Sequence, residues 1–161
     1  TPGGTEKTLV RSVTPDQEIY MPGGGRSVFG VKLQTVAVTE PSDILKVNVS
    51  PQTITLKPDQ EVRIEVNIQR RSDYDKGVSL DILMQHLGRV FGNPLPPGVT
   101  VVESKSKTLI GTGNQGYITL KAAPNVAPID NVPISVLAHV SINFVVKISY
   151  SSPPILLSIR K

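Results

Sequence analysis

From Ile134 to Tyr150 every second residue is apolar: Ile134, Val136, Ala138, Val140, Ile142, Phe144, Val146, Ile148 and Tyr150. Period two is the mark of a pleated strand with unlike faces, and it is incompatible with the 3.6-residue repeat of a helix. At about 3.3 Å per residue a single strand of this length would reach roughly 55 Å, whereas ordinary strands span about 17–20 Å. The run must therefore bend, bulge or pass between sheets, with His139-Val140-Ser141 or Ile142-Asn143 as the expected break.

The rest of the chain agrees with an all-β fold. Val, Ile and Thr make up 47 of the 161 residues, while Ala and Glu together supply 11. β-branched side chains lose χ1 freedom on a helix and suit a pleated surface, so helical bundles and doubly wound α/β folds are disfavoured. With 14 Pro, 13 Gly and 39% hydrophobic residues, the chain has both a core and many turns, which argues against disorder and a collagen-like repeat.

Strands can be placed from Leu45 onward. Leu45, Val47 and Val49 alternate with polar residues up to Pro51, and Thr53 to Leu56 resumes the pattern before the Pro58-Asp59 turn. Glu61 to Gln69 alternates strictly, with Val62, Ile64, Val66 and Ile68 on one face. Ser72 to Gly77 then reads as a hairpin loop leading to Val78, Leu80, Ile82 and Met84. Leu87 to Pro97 reads as a long loop, with one helical turn around Met84 to Leu87. Val99 to Val102 follows, then Thr108–Ile110 and Tyr117–Ala122 as a pair closed by Gly111 to Gly116. After the 134–150 run, Pro153-Pro154 precedes a last strand, Ile155–Ile159. About eight strands in roughly 115 residues have the size and spacing of an immunoglobulin-like antiparallel β-sandwich. Residues 1–44 carry further strand candidates at Thr8–Val13, Glu18–Met21 and Ser27–Val38. These are too few to close a sandwich, so they read as the tail of a preceding β-domain or a small sheet packed on the next, with the joint near Glu40 to Asp43. The sequence starts at Thr1 rather than Met, which suggests a piece of a longer protein.

The series Val47-Asn48-Val49-Ser50-Pro51, Ile54-Thr55-Leu56-Lys57-Pro58-Asp59-Gln60, Leu95-Pro96-Pro97-Gly98-Val99-Thr100 and Ile155 to Ile159 resembles bacterial Ig-like modules. These occur in large secreted or surface multidomain proteins, including those that accompany pre-peptidase domains. The resemblance covers about residues 45–161. It departs from the pattern at Asp59, where Gly is commoner, and in the extra residues Gln85–Asn93. It implies an extracellular, periplasmic or cell-surface setting and a non-catalytic role, with neighbouring domains of the same chain as partners. It transfers no catalytic residue and no cofactor.

Charge and reactive side chains exclude more than they propose. The net charge of +4 comes from 17 basic and 13 acidic residues that are interspersed, as in Glu61 to Glu65, so no nucleic-acid footprint is expected. No apolar run reaches the length of about 18 residues that a membrane-spanning helix requires. The tight basic pair Arg70-Arg71 has only Tyr74 near it for stacking. Gly111-Thr112-Gly113-Asn114-Gln115-Gly116 matches G-x-G-x-x-G, with Asp130 nineteen residues after Gly111. Dinucleotide binding, however, needs a helix N-terminus after the loop, and Tyr117 to Leu120 is a strand. Asp73, Asp75 and Asp81 offer oxygen ligands for calcium, but the twelfth position of an EF-hand loop is Met84. His86 and His139 stand alone without Cys, and His139 falls on the polar face of its strand. A Ser79, His86 and Asp81 set lacks a nucleophile elbow, and no paired carboxylates are marked for glycoside hydrolysis. Asn48-Val49-Ser50 is a glycosylation acceptor sequence lying in a strand before Pro51. Tyr74 and Tyr117 read as sheet-edge cover.

The expected function is thus a structural or interaction module spacing or presenting other domains. A ligand-binding module is the alternative, for carbohydrate or protein, using the 85–97 loop or a strand edge. Phe91, Tyr74, Arg70 and Arg71 are its candidate contacts.

Overall fold

The computed structural model describes residues 16–20, 26–30, 43–86, 89–141 and 147–161, and for 16–20, 26, 86, 89 and 91 the backbone alone. The chain divides into two compact units, Thr1–Glu40 and Pro41–Lys161. In the first, β1 (Asp16–Tyr20) and β2 (Arg26–Gly30) form an antiparallel hairpin, on which Val28 and Phe29 are exposed. The strand candidate Thr8–Val13 and most of Ser27–Val38 lie outside the described residues.

The second unit is an all-β sandwich. One sheet has the order β3 (Ile44–Ser50), β5 (Glu61–Arg70), β11 (Gln115–Ala122), β9 (Val99–Val101). Another has the order β10 (Leu109–Gly111), β6 (Val78–Asp81), β13 (Leu137–Ser141), β14 (Lys147–Ser151). A three-stranded sheet places β15 (Ile155–Ile159) between β12 (Ile129–Ile134) and β4 (Thr53–Leu56). The inward residues of all three sheets form one cluster, among them Val47, Ile54, Ile64, Leu80, Ile118, Ala138 and Leu157. Strict alternation puts Ile64, Val66 and Ile68 in that core and Arg63, Glu65 and Asn67 in solvent. Among the described residues no helix is long and apolar enough to cross a membrane.

Several connections differ from the sequence reading. The sandwich is not wholly antiparallel, because β4 runs parallel to β15. The 72–77 segment is not a hairpin loop: β5 and β6 belong to different sheets. Likewise β10 does not pair with β11; it lies beside β6, with Leu80 N–H donating to Thr108 O at 2.7 Å, and only the bridge Lys107↔Tyr117 ties that stretch to β11. In both cases each strand has an apolar side that either sheet could bury, so local pattern does not choose the sheet. The expected loop at 87–97 and helical turn at 84–87 are replaced at their start by a small hairpin, β7 (Met84–His86) with β8 (Arg89–Gly92). The long alternating run divides into the end of β12, then β13 and β14. β13 and β14 pair antiparallel from Leu137↔Ser151 to Ser141↔Lys147, so His139-Val140-Ser141 lies within a strand and is not the break; Ile142-Asn143 lies outside the described residues.

Candidate functional site

The outward face of the β10–β6–β13–β14 sheet carries one continuous cross-strand row, Leu109–Ser79–His139–Ser149. The small side chain of Ser79, between Leu109 and His139, leaves a hollow in the row. The hollow is a cleft of about 590 Å³ whose lining includes Ser79, Asp81, Gln85, Glu103, His139 and Lys147, with Leu83, Val101 and Leu109 as apolar walls. His139 is only 8% exposed, so the sequence expectation of a partly exposed histidine on the polar face is corrected here. Its Nδ1 lies 2.7 Å from Ser149 Oγ, and its Nε2 is buried with no hydrogen-bond partner among the described residues. Burial lowers the His139 pKa, the Asp81 carboxylate opposes that, and the Lys147 ammonium adds to it. The imidazole is therefore held neutral at pH 7.

Asp81 is occupied by its own loop. Its Oδ1 accepts from Ile82 N–H and Leu83 N–H at 2.8 and 2.9 Å, and its Oδ2 from Gln85 Nε2 at 2.5 Å. This turn directs the chain from β6 into β7. Asp73 pairs with Arg71 at 3.1 Å. Among the described residues no group of three or more His, Asp or Glu is placed to hold an ion, so Asp73, Asp75 and Asp81 are not brought together as a calcium site. Of the drawn Ser–His–Asp set, Ser79 and Asp81 lie near His139; the side chain of His86 is outside the described residues. That of Phe91, on β8, is likewise outside them.

Arg70 is committed inside the fold. Its guanidinium donates to Asn114 Oδ1 at 2.9 Å and to the carbonyls of Lys76, Gly111 and Gly113, each at 2.7 Å. It also lies 5.6 Å from the Tyr74 ring centroid. Burial raises the Tyr74 pKa, as does the nearby Asp43 carboxylate, while Arg70 opposes them. The G-x-G-x-x-G stretch thus turns carbonyls toward a cation and leads into β11, the reverse of a phosphate cradle. Gly111 takes the left-handed φ of 54° that this turn requires. Tyr117 lies on the outer face of its sheet with the Arg63 guanidinium 3.4 Å from its ring centroid. Asn48 is exposed on the edge strand β3, in register with Asn67.

The alternation alone does not reveal that His139 pairs with Ser149 and Ser79. The signal was present as Ser149, ten residues downstream of His139, on the same face of the folded-back run.

No family model matches the chain, and no curated protein matches it in sequence. Among solved structures it is similar to the crystal structure of domains 4 and 5 of the S-layer protein SbsC, with 10% identity and a TM-score of 0.34. That alignment covers 91% of this chain and 66% of the other, just under two thirds of its length.

Proposed function

We propose that the Pro41–Lys161 unit is a non-catalytic, Ig-like spacer that carries tension between neighbouring domains of a secreted or cell-surface bacterial protein. The observation that carries this reading is the path of the chain through the sandwich. Ile44 pairs with Arg70 at one end of β5. Ile159 pairs with Leu56, which a short turn connects to Glu61 at the other end of β5. The chain therefore enters at one pole and β15 leaves at the opposite one, separated by the ten residues of β5, about 30 Å.

The parallel β4–β15 pair lies across this path. Pulling on the Ile44 side and beyond Ile159 slides the two strands along each other, so their hydrogen bonds share the load instead of opening one at a time. Leu156 N–H to Gln52 O and Arg160 N–H to Leu56 O, both 2.9 Å, belong to this pair. At the loaded pole, Tyr150 Oη donates to Asp43 Oδ2 at 3.0 Å and Arg71 N–H to Asp43 O at 2.9 Å. Single-molecule pulling of the full chain through its two ends tests the reading. A distinct unfolding peak is expected from this unit, lowered by Arg160→Pro, which removes one bond of the pair. Extension without such a peak would overturn the reading.

A further inference from the structure

We infer that β14 is a docking edge for a second copy of this chain, the two strands pairing antiparallel about a two-fold axis through Ser149. This goes beyond the load-bearing role and does not depend on it. β14 closes one end of its sheet and is paired on one side only, with β13. The direction of its backbone groups follows from that pairing. Ser152 N–H donates to Val136 O at 2.8 Å, which makes Val136 and Ser152 a bonded pair in the register that continues from Leu137↔Ser151. Bonded and non-bonded pairs alternate along an antiparallel ladder, so Ile148 and Tyr150 turn their backbone N–H and C=O groups toward β13. Lys147, Ser149 and Ser151 turn theirs outward; all three residues are exposed, and no described residue bonds those outward groups.

Such an edge accepts another strand, and the other sheet edges of the Pro41–Lys161 unit are blunted. β12 contains Pro133 and shifts register, and β3, β10 and the β7–β8 hairpin shift register as well. β9 and β4 have only three and four residues. β14 keeps five residues in unbroken register with no proline.

A second copy fits because the strand is complementary to itself. With Ser149 opposite Ser149 of the copy, Lys147 faces Ser151 and Ile148 faces Tyr150. Every outward backbone group then meets one of the copy, giving three bonded pairs and about six hydrogen bonds. The half-buried Ile148 and Tyr150 form aliphatic–aromatic pairs across the axis on the inner face. The two Lys147 positions lie four residues apart along the strand direction, about 13 Å, beyond the Debye length of about 8 Å at physiological salt. An edge of five residues makes a small interface, so the dimer is weak and reversible, with a Kd on the order of 100 μM.

Sedimentation velocity of the full chain between about 10 μM and about 1 mM tests this. The sedimentation coefficient should rise with concentration, and the amides of Lys147, Ser149 and Ser151 should become protected from exchange as it does. Two substitutions at one exposed position should act in opposite directions. Ser151→Lys sets a lysine opposite Lys147 of the copy and should weaken the dimer about tenfold, whereas Ser151→Glu sets a carboxylate there and should strengthen it about threefold. Both variants lose the same hydroxyl, so a folding defect would move them together. A chain that stays monomeric to the highest concentration overturns the inference. So does a dimer that leaves these amides unprotected, or one that the two substitutions leave unchanged or shift in the same direction.

Discussion

His139 on β13 and Ser149 on β14 face each other across an antiparallel pair, Nδ1 to Oγ at 2.7 Å, with the imidazole otherwise shut away from water. Burial keeps the folded-state pKa below the unfolded value of 6.5; Asp81 pulls it up and Lys147 pushes it further down. A depressed pKa means that the unfolded chain binds the proton more readily. The neutral ring's contribution to stability is therefore complete above about pH 6.5 and is lost as the pH falls through the folded-state pKa, at a slope of at most about 1.4 kcal/mol per pH unit. Urea denaturation across pH 8 to 5 should show this loss, and His139→Gln should flatten it. An equal slope in both proteins would show that His139 is not its source.

Arg70 and Asn114 are 44 residues apart, yet the guanidinium joins the 71–77 and 111–114 loops at one end of the sandwich. Lysine keeps the charge but cannot reach four acceptors with a planar fork. Arg70→Lys is expected to cost about 1–3 kcal/mol and to speed amide exchange in both loops while leaving β5 protected. Exchange confined to the 71–77 loop would disprove the joint role.

What the sequence disclosed and what it withheld divide along the range of the interactions. The alternation of Glu61 to Gln69 was legible because exposure there depends on parity alone. The partners of Arg70 were not, because Asn114, Gly111 and Gly113 lie more than 40 residues away and three of the four acceptors, Lys76 among them, are backbone carbonyls, which no residue type advertises. Ile110 is inward-facing whichever sheet β10 joins, so its pattern could not reveal that β6 is the partner. For His139 parity gave the outward face correctly, but outward did not mean wet: the cleft walls come from Leu83, Val101 and Glu103, distant in sequence. The candidate site was hidden for that reason, although the strands that build it were not.

Gly116 is the second residue of β11, where the backbone runs against the opposite sheet. A Cβ there would sit 2.6 Å from Ile110 Cγ2, Leu80 Cδ1 and the Lys107 carbonyl oxygen, the last a backbone atom that cannot swing away. Gly116→Ala should therefore destabilise the fold by about 1–3 kcal/mol in urea. Gly77, with open space around its Cα, is the control, and Gly77→Ala should change stability by less than about 0.5 kcal/mol. Comparable losses at the two positions would refute the steric account.

Leu156 and Leu157 are neighbours on β15 with opposite fates: the first is 38% exposed and the second fully buried in the hydrophobic core, on a strand flanked by β4 and β12. Truncating Leu157 removes apolar atoms from a close-packed core and leaves a cavity that the flanking strands cannot close. Leu157→Ala should cost about 2–5 kcal/mol, and Leu156→Ala less than about 1 kcal/mol. Because β15 also forms the parallel pair with β4, Leu157→Ala should lower the pulling force at which the unit yields. If Leu156→Ala proved the more damaging of the two in urea, the register of β15 would have to shift by one residue, and its pairing with β4 would fall with it.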